Sequence, residues 1–261
     1  MSATVAPPLT VALGSPPAAP TGRLVDRGTV RREWVRADEW SVRGVAKVTR
    51  DVDVGRADLD GLVSVAGHLS AEAVRARGAL EVFGPVDVRG TFGARGNVRV
   101  GGTLHAVDLD LDGPTRVDGA LTVDRHAQVR GLLHAPSFDG GLLEIDGSAT
   151  VAGELRALDV RADLSGTSEL GTVFARSVRV HGHRPNLLDK ALFREARATV
   201  TRIEADSVDL ANVRVGFVRS KALVLGPGAH VTPVEGTVVR RHPRSRVGPE
   251  SESVPPFGLR R

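Results

Sequence analysis

The chain has 261 residues, of which 41% are hydrophobic and only 3% aromatic, with 30 Gly, 15 Pro and neither Cys nor Tyr. So few aromatic rings exclude an ordinary mixed core, where Phe, Tyr and Trp supply much of the buried area. The missing cysteines exclude a disulfide framework, a thiol nucleophile and a cysteine zinc site. The net charge is +4, yet residues 41–180 carry −3 (16 basic, 19 acidic) while 236–261 carry +4 (6 and 2), so the basic excess sits at one terminus and nucleic acid is not an expected partner.

Residues 1–28 are rich in Pro and Ala without periodicity and read as a disordered tail, with no basic start of the kind that opens a secretory signal. No run of about 18 apolar residues occurs anywhere, so no transmembrane helix is expected. Residues 29–40 form an amphipathic segment holding both tryptophans, Trp34 and Trp40. It reads as a cap on the repeat region that begins at residue 41, or as an extended arm packed on one face.

From 41 the sequence repeats itself. VSVAGHL (63–69), LEVFGPV (80–86), VRVGGTL (98–104) and TRVDGAL (115–121) share one pattern, and their glycines, Gly67, Gly84, Gly102 and Gly119, are separated by 17, 18 and 17 residues. Gly147, Gly166 and Gly182 continue the series with steps of 19 and 16. Inside each unit apolar residues alternate with polar ones, as a strand with one buried face requires. The strands should be short and end at Gly, Asp-Gly or Arg-Gly corners, where the backbone needs conformations that only glycine adopts at little cost. No helical window separates them, so a parallel α/β sheet is excluded.

What remains is an all-β solenoid, each unit one triangular coil stacked about 4.8 Å above the last. Small residues such as Ala71, Ala73, Ala106, Ala135 and Ala157 suit its corners, and so thin a coil should leave no room for aromatics. Coils are expected over 41–183 and 201–239, about ten in all. Between them, 184–200 reads as an excursion, helical or looped, with Asn186 as N-cap and Leu188, Leu192 and Ala196 at helical spacing. Residues 240–261 read as a basic disordered tail in which Arg240, Arg241, Arg244 and Arg246 could meet an anionic surface.

Several motifs invite chemistry. LGPGAH (225–230) matches one hexapeptide of an acyltransferase solenoid, with His230 as base, but the coil lengths do not lock to multiples of six. His181 and His183 share a strand face near Asp189, without a third ligand at motif-grade spacing, so no metal is expected. Asp108, Asp110 and Asp112 line one outer face in the manner of a polysaccharide-processing groove, or pair with Arg on adjacent coils. GxxxxGK[ST] is absent, so assembly driven by nucleotide is not expected.

The stretches LTVDRHAQVRGLLHAPSFDG (121–140), ATVAGELRALDVRADLSG (149–166) and RIEADSVDLANVRVGFVRSKALVLGPGAHVTPVEGTVV (202–239) resemble the bactofilins, bacterial polymer-forming cytoskeletal proteins, in a longer variant. The resemblance covers roughly 41–239. It implies a single-stranded right-handed parallel β-helix that polymerises without nucleotide or other cofactor, often at the membrane, and scaffolds cell-shape or envelope proteins.

The expectation is therefore a cytoplasmic, non-enzymatic scaffold whose partner is itself, with envelope-synthesis proteins as clients and peripheral contact with an anionic membrane as an option. Its assembly residues should lie in the terminal coils: Val42, Val45, Val48, Val52 and Val54 at one end, and Leu223, Val224, Leu225, Val231 and Val234 at the other. The alternatives are a β-helix enzyme, of hexapeptide acyltransferase or polysaccharide-processing type, and a monomeric adaptor with capped ends.

Overall fold

A computed structural model describes residues 22–183 and 198–248. Among them there is no helix; fifteen strands form one sheet in which every pairing is parallel. The first nine, β1 (Arg23–Arg32), β2 (Val35–Val48), β3 (Val52–Val65), β4 (Leu69–Val82), β5 (Val86–Val100), β6 (Leu104–Val117), β7 (Leu121–Ala135), β8 (Phe138–Leu164) and β9 (Ser168–Gly182), each pair with the next. After the excursion, β10 (Ala198–Ala211) pairs with β9 and then with both β11 (Arg214–Val215) and β12 (Val218–Leu225). The path closes with β13 (His230–Val231), β14 (Val234–Arg241) and β15 (Arg246–Val247).

Successive partners are one coil apart: Val35 faces Val52, which faces Leu69, which faces Val86. The result is the expected β-solenoid, with about twelve turns rather than ten. Its height is about 58 Å at roughly 4.8 Å per coil. The difference lies at the ends. Winding starts at Arg23, so 29–40 belongs to strands β1 and β2, and it continues through Val247, so 240–248 joins the last coil. The helix expected over 184–200 lies outside the described residues except for 198–200, which open β10.

The expected short strands are instead mostly 14 or 15 residues long and run through their corners. Every coil bends at the same register, so the hydrogen-bond ladder continues around the bend. One corner is a stack of glycines, Gly28, Gly44, Gly61, Gly78, Gly96, Gly113, Gly131 and Gly147, all with positive φ. Each follows Arg or Asp, as the corner signals require. The glycines read as one periodic series in fact split between two stacks. Gly67, Gly84, Gly102 and Gly119 form a second corner joined by N–H to carbonyl bonds of 3.0–3.2 Å. Gly147 ends the first stack, and Gly182 faces Leu164 inside the ladder.

Interior columns are Val, Leu and Ala at or near zero exposure: Val42, Leu59, Ala76, Ala94, Leu111, Val129 and Ile145 form one of them. Burying each Val or Leu contributes about 1.5–3 kcal/mol before chain entropy. Ala71, Ala106 and Ala135 are buried as expected, while Ala157 is partly covered. The interior also admits rings, contrary to expectation: Trp40, Phe92 and Phe138 are all fully buried. Neighbours make the room. Trp40 stacks on Ala57, and Gly140 leaves the space a Cβ would take 3.2 Å from the Phe138 ring.

Outside, ion pairs join adjacent coils, including Arg50–Glu33 at 3.1 Å, Arg161–Glu144 at 3.0 Å and Arg176–Asp159 at 2.7 Å. Each is exposed and adds little stability alone. A slip in register would break them together.

Candidate functional site

A solenoid has two ends, and each end strand has one edge that no described strand pairs: β1 bonds only β2, β14 only β12, and β15 only β13. Such edges template the addition of another strand unless something covers them. The two ends differ in what fills the lumen behind the edge.

At the N-terminal rim the inward positions of β1 are Leu24, Asp26, Val30 and Arg32, stacked on Trp40, Val42, Ala46 and Val48. Asp26 is only 4% exposed. Its carboxylate accepts bonds from Arg32 at 2.9 and 2.6 Å and from the Trp40 indole N–H at 3.0 Å. The Arg32 guanidinium, helped by the indole donor, holds Asp26 below the usual carboxylate range against the opposing effect of burial, and Asp26 in turn raises Arg32. A polar bridge therefore closes this end of the lumen. Trp40 is a buried support beneath that bridge. Trp34 is half-buried on the outside, with the Arg50 guanidinium 5.1 Å from its ring centre.

Because Asp26 is depressed in the folded state, its stabilisation is complete above the ordinary value near 3.8 and is lost as pH falls through the lower folded value. Asp26→Asn is expected to loosen the first coil by roughly 1–3 kcal/mol at neutral pH. It should also flatten the acid limb of stability, read from thermal melts and the near-ultraviolet tryptophan signal; an unchanged acid limb would contradict the role of the bridge.

At the C-terminal rim the inward positions are mostly apolar. Val234, Val238 and Val247 stack on Val218, Leu223 and Val231, and Arg241 covers Leu225. Val238 is 40% and Val247 39% exposed, and Val239 on the outer side 65%. Below them Leu223, Leu225 and Val231 are buried. The end coil is held by a turn in which Ser245 donates through its N–H and its hydroxyl to the His242 carbonyl, at 2.9 and 2.7 Å. Arg240, Arg244 and Arg246 ring this rim, so the expected basic tail begins as an ordered edge.

The structure places most of the assembly residues expected from the sequence one coil or more inside the rims. Val42 and Val48 are buried beneath β1, Val52 and Val54 are buried beneath Val35 and Ala37 of β2, and Val45 is exposed on the glycine corner rather than at an end. Leu223, Leu225 and Val231 lie one coil inside the opposite rim, with Val224 half-buried beside them. Only Val234 lies in the terminal coil. Sequence reasoning missed Asp26, Arg32, Val238, Val239 and Val247. Gly28, which faces Gly44 at the corner, was the available signal that a coil precedes residue 41.

The motifs with possible chemistry are dispersed. His230 is half-buried, and its ring nitrogen contacts the Gly248 carbonyl at 3.1 Å. Asp108 bonds Arg125, and Asp110 bonds Arg130 at 2.7 Å, the cross-coil pairing expected of an acidic face. His181 lies between Asp163 and Asp209, 3.8 and 3.5 Å from its two nitrogens, and Asp189 is outside the described residues. No group of three or more possible metal ligands occurs among the described residues. His105 lies between carboxylates in the same way, and Asp87 first, then Asp124, raise its pKa. No described helix is long and apolar enough to cross a membrane. No family model, curated protein or solved structure matches the chain.

Proposed function

We propose that this protein is a non-enzymatic scaffold that assembles end to end through the rims of its solenoid, without nucleotide, as the bactofilins it resembles do. The observation that carries the reading is the C-terminal rim. An unpaired strand edge there coincides with an apolar lumen left open at Val238 and Val247. A second copy placed on it extends the backbone ladder and makes the apolar column continuous, which supplies both directional and hydrophobic attraction. If two C-terminal rims meet about a twofold axis, β14 of one copy runs antiparallel to β14 of the other, an isologous contact.

The Asp26–Arg32 bridge favours a second reading for the other end. Covering it strips water from Arg32, so that contact is weaker, and the smallest stable assembly is a dimer through the C-terminal rims. In cells we assign the assembly to the cytoplasm, with Arg240, Arg244 and Arg246 available to an anionic membrane and the side walls to client proteins.

Electron microscopy and light scattering of the purified protein in nucleotide-free buffer test this directly. Filaments or dimers are the expected result. A single-subunit mass at tens of micromolar, with 1–21 and 249–261 removed, would refute end-to-end assembly.

A further inference from the structure

Away from both rims, one side wall carries a groove of about 400 Å³ between β4 and β5. Its walls are basic. Arg75, Arg77 and Arg95 line it with the Thr91 hydroxyl, and Arg56 lies at its edge, held to Asp58 at 3.4 Å. The depth comes from Gly93, which faces Arg75 on the adjacent coil in a column that otherwise carries Asp58, Asp110 and Gln128. A Cβ added at Gly93 would meet nothing nearer than the Val74 carbonyl oxygen at 3.9 Å, so the notch is open space.

The charges around this notch break a local rule. The residues preceding the corner glycines run Arg27, Arg43, Asp60, Arg77, Arg95, Asp112, Arg130 and Asp146, alternating in sign at all but two steps. Arg77 and Arg95 face each other directly in register, as Arg27 and Arg43 do in the first two coils, an arrangement that is destabilising by itself. None of Arg75, Arg77 and Arg95 has an ion pair or hydrogen bond among the described residues, in contrast to Arg56 and Arg116 on the adjoining coils. Asp110, the nearest acid in the lining, is taken by Arg130 at 2.7 Å.

We infer that this groove binds a diphosphate group, whether as inorganic pyrophosphate or as the diphosphate of a larger molecule. Guanidinium forks match phosphate oxygens in pairs, and three of them converge on one concavity. Two linked phosphates present more oxygens than one, enough to meet three guanidinium forks at once. No aromatic side chain lines the groove, so nothing there recognises an attached base by stacking.

Calorimetric titration of the full chain with inorganic pyrophosphate at physiological ionic strength tests the inference, with orthophosphate and sulfate as comparisons. One saturable site is expected, tighter for pyrophosphate than for either comparison ion. Arg77→Ala and Arg95→Ala should each weaken it by about tenfold or more, and Arg176→Ala, several coils away, should leave it unchanged. Gly93→Leu keeps every charge but fills the notch, and its backbone is free of positive φ, so it should fold normally and lose binding. Undiminished binding by Gly93→Leu would reduce the effect to diffuse charge screening and overturn the site. No saturable heat would overturn it too. Pelleting with phosphatidylcholine–phosphatidylglycerol vesicles that depends on Arg77 and Arg95, without pyrophosphate binding, would assign the arginines to a membrane surface instead.

Discussion

Val238→Arg combined with Val247→Arg is expected to leave the protein as single subunits under conditions where the unaltered chain assembles. Both side chains lie at the mouth of the lumen and are about two-fifths exposed, so a guanidinium there reaches water in the isolated subunit and disturbs its fold little. In an end-to-end contact the same groups would be buried against the apolar side chains of the lumen, at a cost of several kcal/mol. A loss of about 3 kcal/mol raises the concentration needed for assembly by roughly a hundredfold. Leu158→Arg is the matched control: this side chain is 61% exposed, but on the wall rather than a rim. Light scattering and thermal melts together decide the matter. Equal assembly by the rim double variant and the control would remove the C-terminal rim from the mechanism. Charges at Leu225 or Val231, which the sequence alone suggests, are poorer probes, since both are buried beneath the last coil and would damage folding first.

The second large effect concerns the fold. Gly61→Val should destabilise the solenoid by roughly 3–5 kcal/mol. Its φ of +129° lies where side chains rarely go, and a Cβ there would stand 2.9 Å from the Gly44 carbonyl carbon and nearer still to its oxygen. Neither strain can relax, because the coils on both sides hold glycines in the same conformation. Gly28→Ala provides the contrast. It occupies the same stack at φ +76°, but a Cβ there meets nothing within 4 Å, so only the conformational cost of about 1–2 kcal/mol remains. Because coils couple mainly to their neighbours, hydrogen exchange resolved by segment is the informative readout. Protection should fall first in β2, β3 and β4 for Gly61→Val and in β1 for Gly28→Ala. Similar melts for the two variants would show that close stacking at the corner does not set the register.

How the chain displays these features determines what can be read from it. Period-two alternation, Arg-Gly and Asp-Gly corners and a repeat of 17 to 18 residues are local signals, and they suffice for a solenoid because each coil is specified by its own residues. Assigning individual glycines to corners is harder. Gly67 and Gly147 look equivalent in a one-dimensional series yet stack on different edges, since each coil turns at more than one corner, as at Gly61 and again at Gly67, and Pro136 stands in the second corner one coil beyond Gly119. Trp40 resembles a cap in the sequence because bulky rings look foreign to a thin coil. Its actual place follows from Ala57 on the next coil and Asp26 on the previous one, a complementarity that exists only between coils.

By itself, then, the order of amino acids determined the class of fold and the composition of its interior, because strand alternation and corner chemistry act over a few residues. Only the stacked structure decided where the ends lie, which end is closed by charge and which is open and apolar, and where unpaired arginines converge. Those features depend on the exact number of residues per coil, which sets what stands above and below each side chain. The extra residue of a longer coil is absorbed in a bulge, as between Ala71 and Val74, and where that bulge falls decides which side chains meet.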